Sequence, residues 1–130
     1  MNAKILYIED NDQNFYLVDF ILRAKGCEVR WAKDGPTGVE MAAHGWAELI
    51  LLDIQLPVMD GYAVAKALRE NPALTRTPIV ALTSYAMSGD REKALAAGCT
   101  GYIEKPINPS SFASQVEQHL LAAAGTQDAP

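Results

Sequence analysis

Short apolar runs and helical patterns alternate five times along this chain of 130 residues. Ile5 to Ile8 is the first run. Asn11 to Lys25 has helical spacing and stops at Gly26, and Cys27 to Trp31, alternating with Glu28 and Arg30, predicts a half-exposed edge strand. A second helix begins at Asp34-Gly35-Pro36, with Asp34 as its N-cap and Pro36 in the first turn, and ends near Gly45. Leu49-Ile50-Leu51-Leu52 stays apolar on both faces, which places it in the middle of a parallel sheet, and it ends in Asp53. A third helix is expected from Asp60 to Asn71, where Pro72 stops it. Pro78 to Leu82 is the fourth strand, a helix ending at Gly98 follows, and Gly101 to Glu104 is the fifth. Asn108-Pro109 caps a last helix whose apolar stripe is Phe112, Val116 and Leu120. The expected organisation is one domain over residues 1–121 and a short frayed tail over 122–130.

Five successive βα units joined by right-handed crossovers make a parallel sheet with helices on both faces. Every strand then ends on one rim, the side of open α/β sheets where ligands bind. The first strand delivers Glu9 and Asp10 there, the third Asp53, the fourth Thr83 and Ser84, and the fifth Lys105.

Composition narrows the partners. The net charge is -5, with no basic stretch, so nothing recommends nucleic acid or an anionic membrane. No apolar run approaches the ~20 residues that span a bilayer. Met1-Asn2-Ala3-Lys4 leads straight into a strand without a signal peptide, and the expected location is the cytoplasm. Cys27 and Cys99 have no metal-ligand spacing and read as small buried side chains.

Chemistry adds more. Carboxylates a few ångström apart repel by ~4 kcal/mol per pair at an effective dielectric near 20, so a charged acidic rim calls for a divalent cation. Oxygen ligands without histidine or cysteine point to magnesium, with manganese as the substitute. Asp53 is placed to accept a phosphoryl group, with Lys105 and the metal neutralising its oxygens and Thr83 donating a hydrogen bond.

The acidic pair Glu9-Asp10, the D-x-x-x-P-x-x-D-G segment from Asp53 to Gly61, Thr83-Ser84 and Lys105-Pro106 together resemble the receiver domains of bacterial two-component response regulators. The resemblance covers about residues 3 to 121 and implies a flavodoxin-like (CheY-like) doubly wound sheet of five parallel strands in the order 2-1-3-4-5 with five helices, a member of this family being a standard example of that order. It implies that Asp10, Asp53 and the main-chain carbonyl of Gln55 bind magnesium, with Glu9 acting through bound water, and that a cis peptide precedes Pro106. The partner it implies is a sensor histidine kinase or a histidine phosphotransfer protein. Such a protein is a signalling phosphoacceptor rather than a turnover enzyme. The string from Glu9 to Asn14 resembles receivers of hybrid kinases and single-domain regulators, and no output segment accompanies it, which favours relay or protein binding over transcription control.

Each residue alone has an ordinary role: Glu9 and Asp10 favour a helix start, Thr83 caps a helix, Lys105 is a surface charge. Asp60 and Gly61 are read only as a cap and a position that needs glycine. Two readings stand for Tyr102, a fixed core ring or a switch that moves as Thr83 is drawn to the phosphoryl group, altering the face of the fourth helix, fifth strand and fifth helix, where a dimer could also form. At 100° per residue Asn14, Leu17, Val18 and Ile21 share the inner face of the first helix, leaving Phe15, Tyr16 and Phe20 either flat against neighbouring helices or as a docking patch for the phosphodonor. The resemblance implies that Gln55 and Tyr85, two residues beyond Asp53 and Thr83 respectively, flank the path of the hydrolytic water, and their bulk predicts a slow loss of phosphate.

Two other classes share parts of this pattern. A haloacid-dehalogenase-type phosphatase wants a second acid two residues after Asp53, where Gln55 stands, and a cap for which there is no room. A flavodoxin-like cofactor binder needs a phosphate-cradling loop where this chain has Glu9-Asp10-Asn11-Asp12.

Overall fold

The computed structural model describes residues 1–56, 59–84 and 88–128. Along the chain it places β1 (Lys4–Ile8), α1 (Asp12–Arg23), β2 (Glu28–Ala32), α2 (Gly35–Ala42), β3 (Leu49–Asp53), α3 (Gly61–Arg69), a 3-10 turn (Pro72–Leu74), β4 (Ile79–Thr83), α4 (Ser88–Ala97), β5 (Gly101–Glu104) and α5 (Phe112–Asp128). The strands pair in parallel in the order β2-β1-β3-β4-β5, the doubly wound order that the resemblance implies.

Alternation along each strand divides the core in two. Leu6, Ile8, Ile50, Leu52, Ile79 and Ala81 face Val64, Ala65 and Leu68 of α3 and Ala94 and Ala97 of α4. Ile5, Tyr7, Leu49, Leu51, Val80 and Leu82 face Phe15, Val18, Ile21 and Leu22 of α1 and Phe112 and Val116 of α5. All five residues of β3 and of β4 are buried, as an interior parallel strand requires.

Local signals hold the helix starts. Asn11, Asp34 and Asp60 accept from the main-chain N–H three residues on, at 2.9, 2.8 and 2.9 Å, as N-caps. Gly26 and Gly98, past the ends of α1 and α4, have φ of 89° and 113°. Gly61 is needed for a different reason: a Cβ there would stand 2.5 Å from Ile54 Cα and 2.8 Å from the Asp53 carbonyl oxygen. The start of α3 is thereby pressed against the end of β3.

The last helix runs through Asp128. One expectation changes. On α1 the buried stripe is Phe15, Val18, Ile21 and Leu22, while Leu17 is exposed. This stripe is rotated by about 60° from the expected face at 3.6 residues per turn. The cause is Phe15, which stacks on Trp31 with ring centroids 4.1 Å apart and planes at 6°, a partner that Leu17 lacks.

Candidate functional site

The parallel sheet ends its strands on one rim, and the expected residues meet there. Asp53 closes β3, Thr83 closes β4, and Glu9 follows β1 with its N–H on the Ala32 carbonyl at 3.0 Å. Lys105 follows β5 and extends the ladder by donating its N–H to the Thr83 carbonyl at 2.8 Å. The Lys105–Pro106 peptide is cis, as the resemblance implies. Glu9, Asp53 and Thr83 are the buried polar residues of the described chain.

Side chains complete the cluster. Lys105 Nζ lies 3.1 Å from Asp53 Oδ1 and 3.5 Å from Glu9 Oε1. Asp53 Oδ1 also accepts from the Gln55 N–H at 3.0 Å. Glu9, Asp10 and Asp53 each offer a carboxylate oxygen within 4.8 Å of the others, with Asp10 exposed at the mouth and the other two buried. Two of the three carboxylates, Glu9 and Asp53, share the Lys105 ammonium. At such separations each acid pair repels by roughly 3 kcal/mol at an effective dielectric of 20. Burial raises the Glu9 carboxyl above its ordinary value, and its hydrogen bond to Asp53 and the Asp53 charge push the same way, while Tyr7 and Lys105 oppose. An all-oxygen set with one solvent-facing acid suits a hard divalent ion that keeps several waters.

Other expected residues lie elsewhere. Tyr102, on β5, is half-buried, with the Arg91 guanidinium 5.4 Å from its ring centre. Tyr16 and Phe20 are 62% and 75% exposed on the outer face of α1. Phe15 is not part of that patch: its exposure is 8%, and the stack on Trp31 keeps it inside. Gln55 is exposed beside Asp53. Tyr85 and Pro57 lie outside the described residues.

Two contributors escaped the sequence. Tyr7, fully buried in β1, donates its hydroxyl to Glu9 Oε1 at 2.8 Å. Burial, then the charge of Glu9, pushes that hydroxyl far up, so it stays a protonated donor. Trp31 Nε1 donates to the Glu9 main-chain carbonyl at 2.6 Å. Strand alternation could have flagged Tyr7, which shares a face with Glu9 two residues on. Trp31 could not be found without the β1–β2 register, where it pairs with Tyr7.

Known proteins match this fold and sequence. The family model for the response regulator receiver domain matches residues 5–117. The polar-differentiation response regulator DivK of Brucella ovis is 34% identical over 120 residues, covering 92% of this chain and 98% of that one. The receiver domain of the sensor histidine kinase PA1611 of Pseudomonas aeruginosa, solved with magnesium in its active site cleft, is 34% identical with a TM-score of 0.82, covering 96% of this chain and 99% of that one. The chemotaxis response regulator CheY4 of Vibrio cholerae is 29% identical with a TM-score of 0.87, covering 92% and 99%. No helix of the described residues is long and apolar enough to cross a membrane. The phosphatase and flavodoxin alternatives fall away with these matches, and the chain belongs to the response regulator receiver domains, phosphoacceptors of two-component signalling.

Proposed function

We propose that Asp53 is the phosphoacceptor, and that this chain takes its phosphoryl group from a phosphohistidine of a sensor histidine kinase or a histidine phosphotransfer protein in the cytoplasm. The observation that carries the reading is the half-buried Lys105 ammonium 3.1 Å from Asp53 Oδ1, shared with buried Glu9, on a rim where Asp10 is exposed. An Asp53 carboxylate oxygen forms the new O–P bond as the P–N bond breaks, and the imidazole leaves with its electron pair and takes a proton. Lys105 neutralises phosphoryl oxygens, and the Thr83 hydroxyl donates to another. Asp10, Asp53 and the Gln55 carbonyl would hold magnesium, with Glu9 acting through water, as the oxygen donor set allows. The ion, when bound, neutralises charge on the transferring group.

The outer face of α1, with Tyr16, Leu17 and Phe20 exposed, is the surface offered to the donor protein. Tyr102 is the element whose packing responds when Thr83 engages the phosphoryl group, and the α4-β5-α5 face it adjoins changes its protein partners. Addition of a beryllofluoride mimic is expected to shift amide resonances around Tyr102; unchanged resonances would remove that role.

The decisive test is labelling by acetyl phosphate with magnesium, read by intact mass. Wild type gains one phosphoryl group and Asp53→Asn gains none. An adduct that persists in Asp53→Asn overturns the assignment.

A further inference from the structure

We propose that Tyr7 and Trp31 are positioning residues that clamp Glu9 from two sides and thereby set the affinity of the acid rim for magnesium. The inference rests on reading the rim as a magnesium site. Glu9 is fully buried, so the place of its carboxylate depends on protein donors. On the side chain, the Tyr7 hydroxyl at 2.8 Å and Lys105 Nζ at 3.5 Å share Oε1, and the Asn11 N–H at 3.4 Å reaches Oε2. On the main chain, the Trp31 indole N–H holds the carbonyl at 2.6 Å. One residue is therefore fixed at both its backbone and its head group.

The two donors also support each other. Phe15 stands between them, with its ring centroid 6.3 Å from that of Tyr7 and 4.1 Å from that of Trp31, and Tyr16 meets both Phe15 and Trp31 edge-on. Ring packing explains why four aromatics gather here, but not the polar atoms that Tyr7 and Trp31 aim at Glu9. A phenylalanine would fill the Tyr7 position equally well, and a buried hydroxyl there is tolerated because Glu9 accepts from it.

The hydroxyl also partitions Lys105. With Tyr7 on Oε1, the ammonium sits nearer Asp53, at 3.1 Å, than Glu9, at 3.5 Å. Without the hydroxyl, Lys105 is the charged partner left on Glu9 Oε1 and is drawn toward it. The carboxylate then loses the orientation in which it faces Asp10 and Asp53. Groups that orient metal-binding carboxylates in this way commonly govern metal affinity by about tenfold or more.

The test is calorimetric titration of magnesium into the metal-free full chain, wild type and Tyr7→Phe. The expected result is a dissociation constant about tenfold weaker in the variant, with unchanged far-ultraviolet circular dichroism. A folded Tyr7→Phe whose constant is weakened by less than about threefold overturns the clamp, since a purely space-filling tyrosine would give that result. Should Tyr7→Phe fail to fold, Trp31→Phe, which keeps a ring for Phe15 but loses the N–H, is judged by the same threshold. Acetyl phosphate labelling of the wild type separates the two readings. Its failure removes the phosphoacceptor assignment, whereas normal labelling with an unchanged constant in the variant removes only the clamp.

Discussion

The two edges of the sheet are built from the same chain by opposite rules. At the amino ends of the strands, Ala3, Cys27, Ala47 and Cys99 bury small apolar side chains. Junctions there close on backbone bonds such as Cys27 N–H to Leu22 O at 3.1 Å and Cys99 N–H to Ala94 O at 3.0 Å. Arg69, a half-buried charge near that edge, is spent on carbonyls, donating Nε to Gly98 O at 2.8 Å and Nη1 to Leu74 O at 2.6 Å. At the carboxyl ends, Glu9 and Asp53 are buried against each other with one lysine between them. Burial of like charges works against stability. The fold thus buries like charges together on the edge that meets ligands and gives the guanidinium of Arg69, near the opposite edge, carbonyl partners.

Substitutions at the two edges should part cleanly. Lys105→Ala carries the largest expected effect, a fall of about 10²-fold in the acetyl phosphate labelling rate at saturating magnesium. A rate near that of wild type would leave the carboxyl edge without its proposed chemistry. Arg69→Ala should do the reverse, lowering unfolding stability in urea by about 2 kcal/mol while the labelling rate stays within about twofold. Loss of labelling in a folded Arg69→Ala would show that the amino edge is not merely structural.

The outer face of α1 borders the carboxyl edge without joining its chemistry. Tyr16→Ser combined with Phe20→Ser is expected to slow transfer from a phosphorylated histidine phosphotransfer protein by about tenfold, roughly 1.4 kcal/mol. Labelling by acetyl phosphate should be unaffected, and equal loss from both donors would sink the docking role.

The smallest effects are in the pH dependence of the metal-free protein. Glu9 holds its proton more tightly when folded, so stability falls as pH rises from its ordinary value of 4.5 through the raised one. His119, half-buried on α5, has its value lowered from 6.5 by burial, so its contribution is lost as pH falls from 6.5 through the lowered value. The slopes are opposite in sign. Urea titrations across this range should show Glu9→Gln removing the first slope and His119→Gln the second; a Glu9→Gln profile identical to wild type would show that the acid is not strained.

How much of this was legible in the sequence depended on whether the signal was local. Asp34 and Asp60 announced their caps because a cap is decided within four residues. The five strands and the rim residues followed from apolar runs and what stands at their ends. The face of α1 did not, because Phe15-Tyr16-Leu17-Val18 is apolar throughout and offers no phase; Trp31, from another strand, decided which ring went inside. The need for glycine at position 61 was legible, but its cause was a close approach to Ile54 and Asp53 that no local pattern encodes. Tyr7 read as one more apolar strand residue although its partner, Glu9, stands only two residues on along the same face, because a buried hydroxyl leaves no mark in an apolar run. The strand order came with the family resemblance, since periodicity alone leaves it open.

The indole of Trp31 has an optical consequence. Its N–H is bonded to the carbonyl of the residue whose carboxylate belongs to the acid rim, and the Lys33 ammonium stands 4.6 Å from its ring centre. An indole so placed emits in a field that changes whenever charge is added to or removed from the rim. Trp46, under the Arg30 guanidinium at 4.0 Å, supplies a second emission that Trp46→Phe would subtract. Rapid-mixing fluorescence on the unlabelled chain would then follow metal arrival and phosphoryl gain in real time, with the protein serving as its own dye.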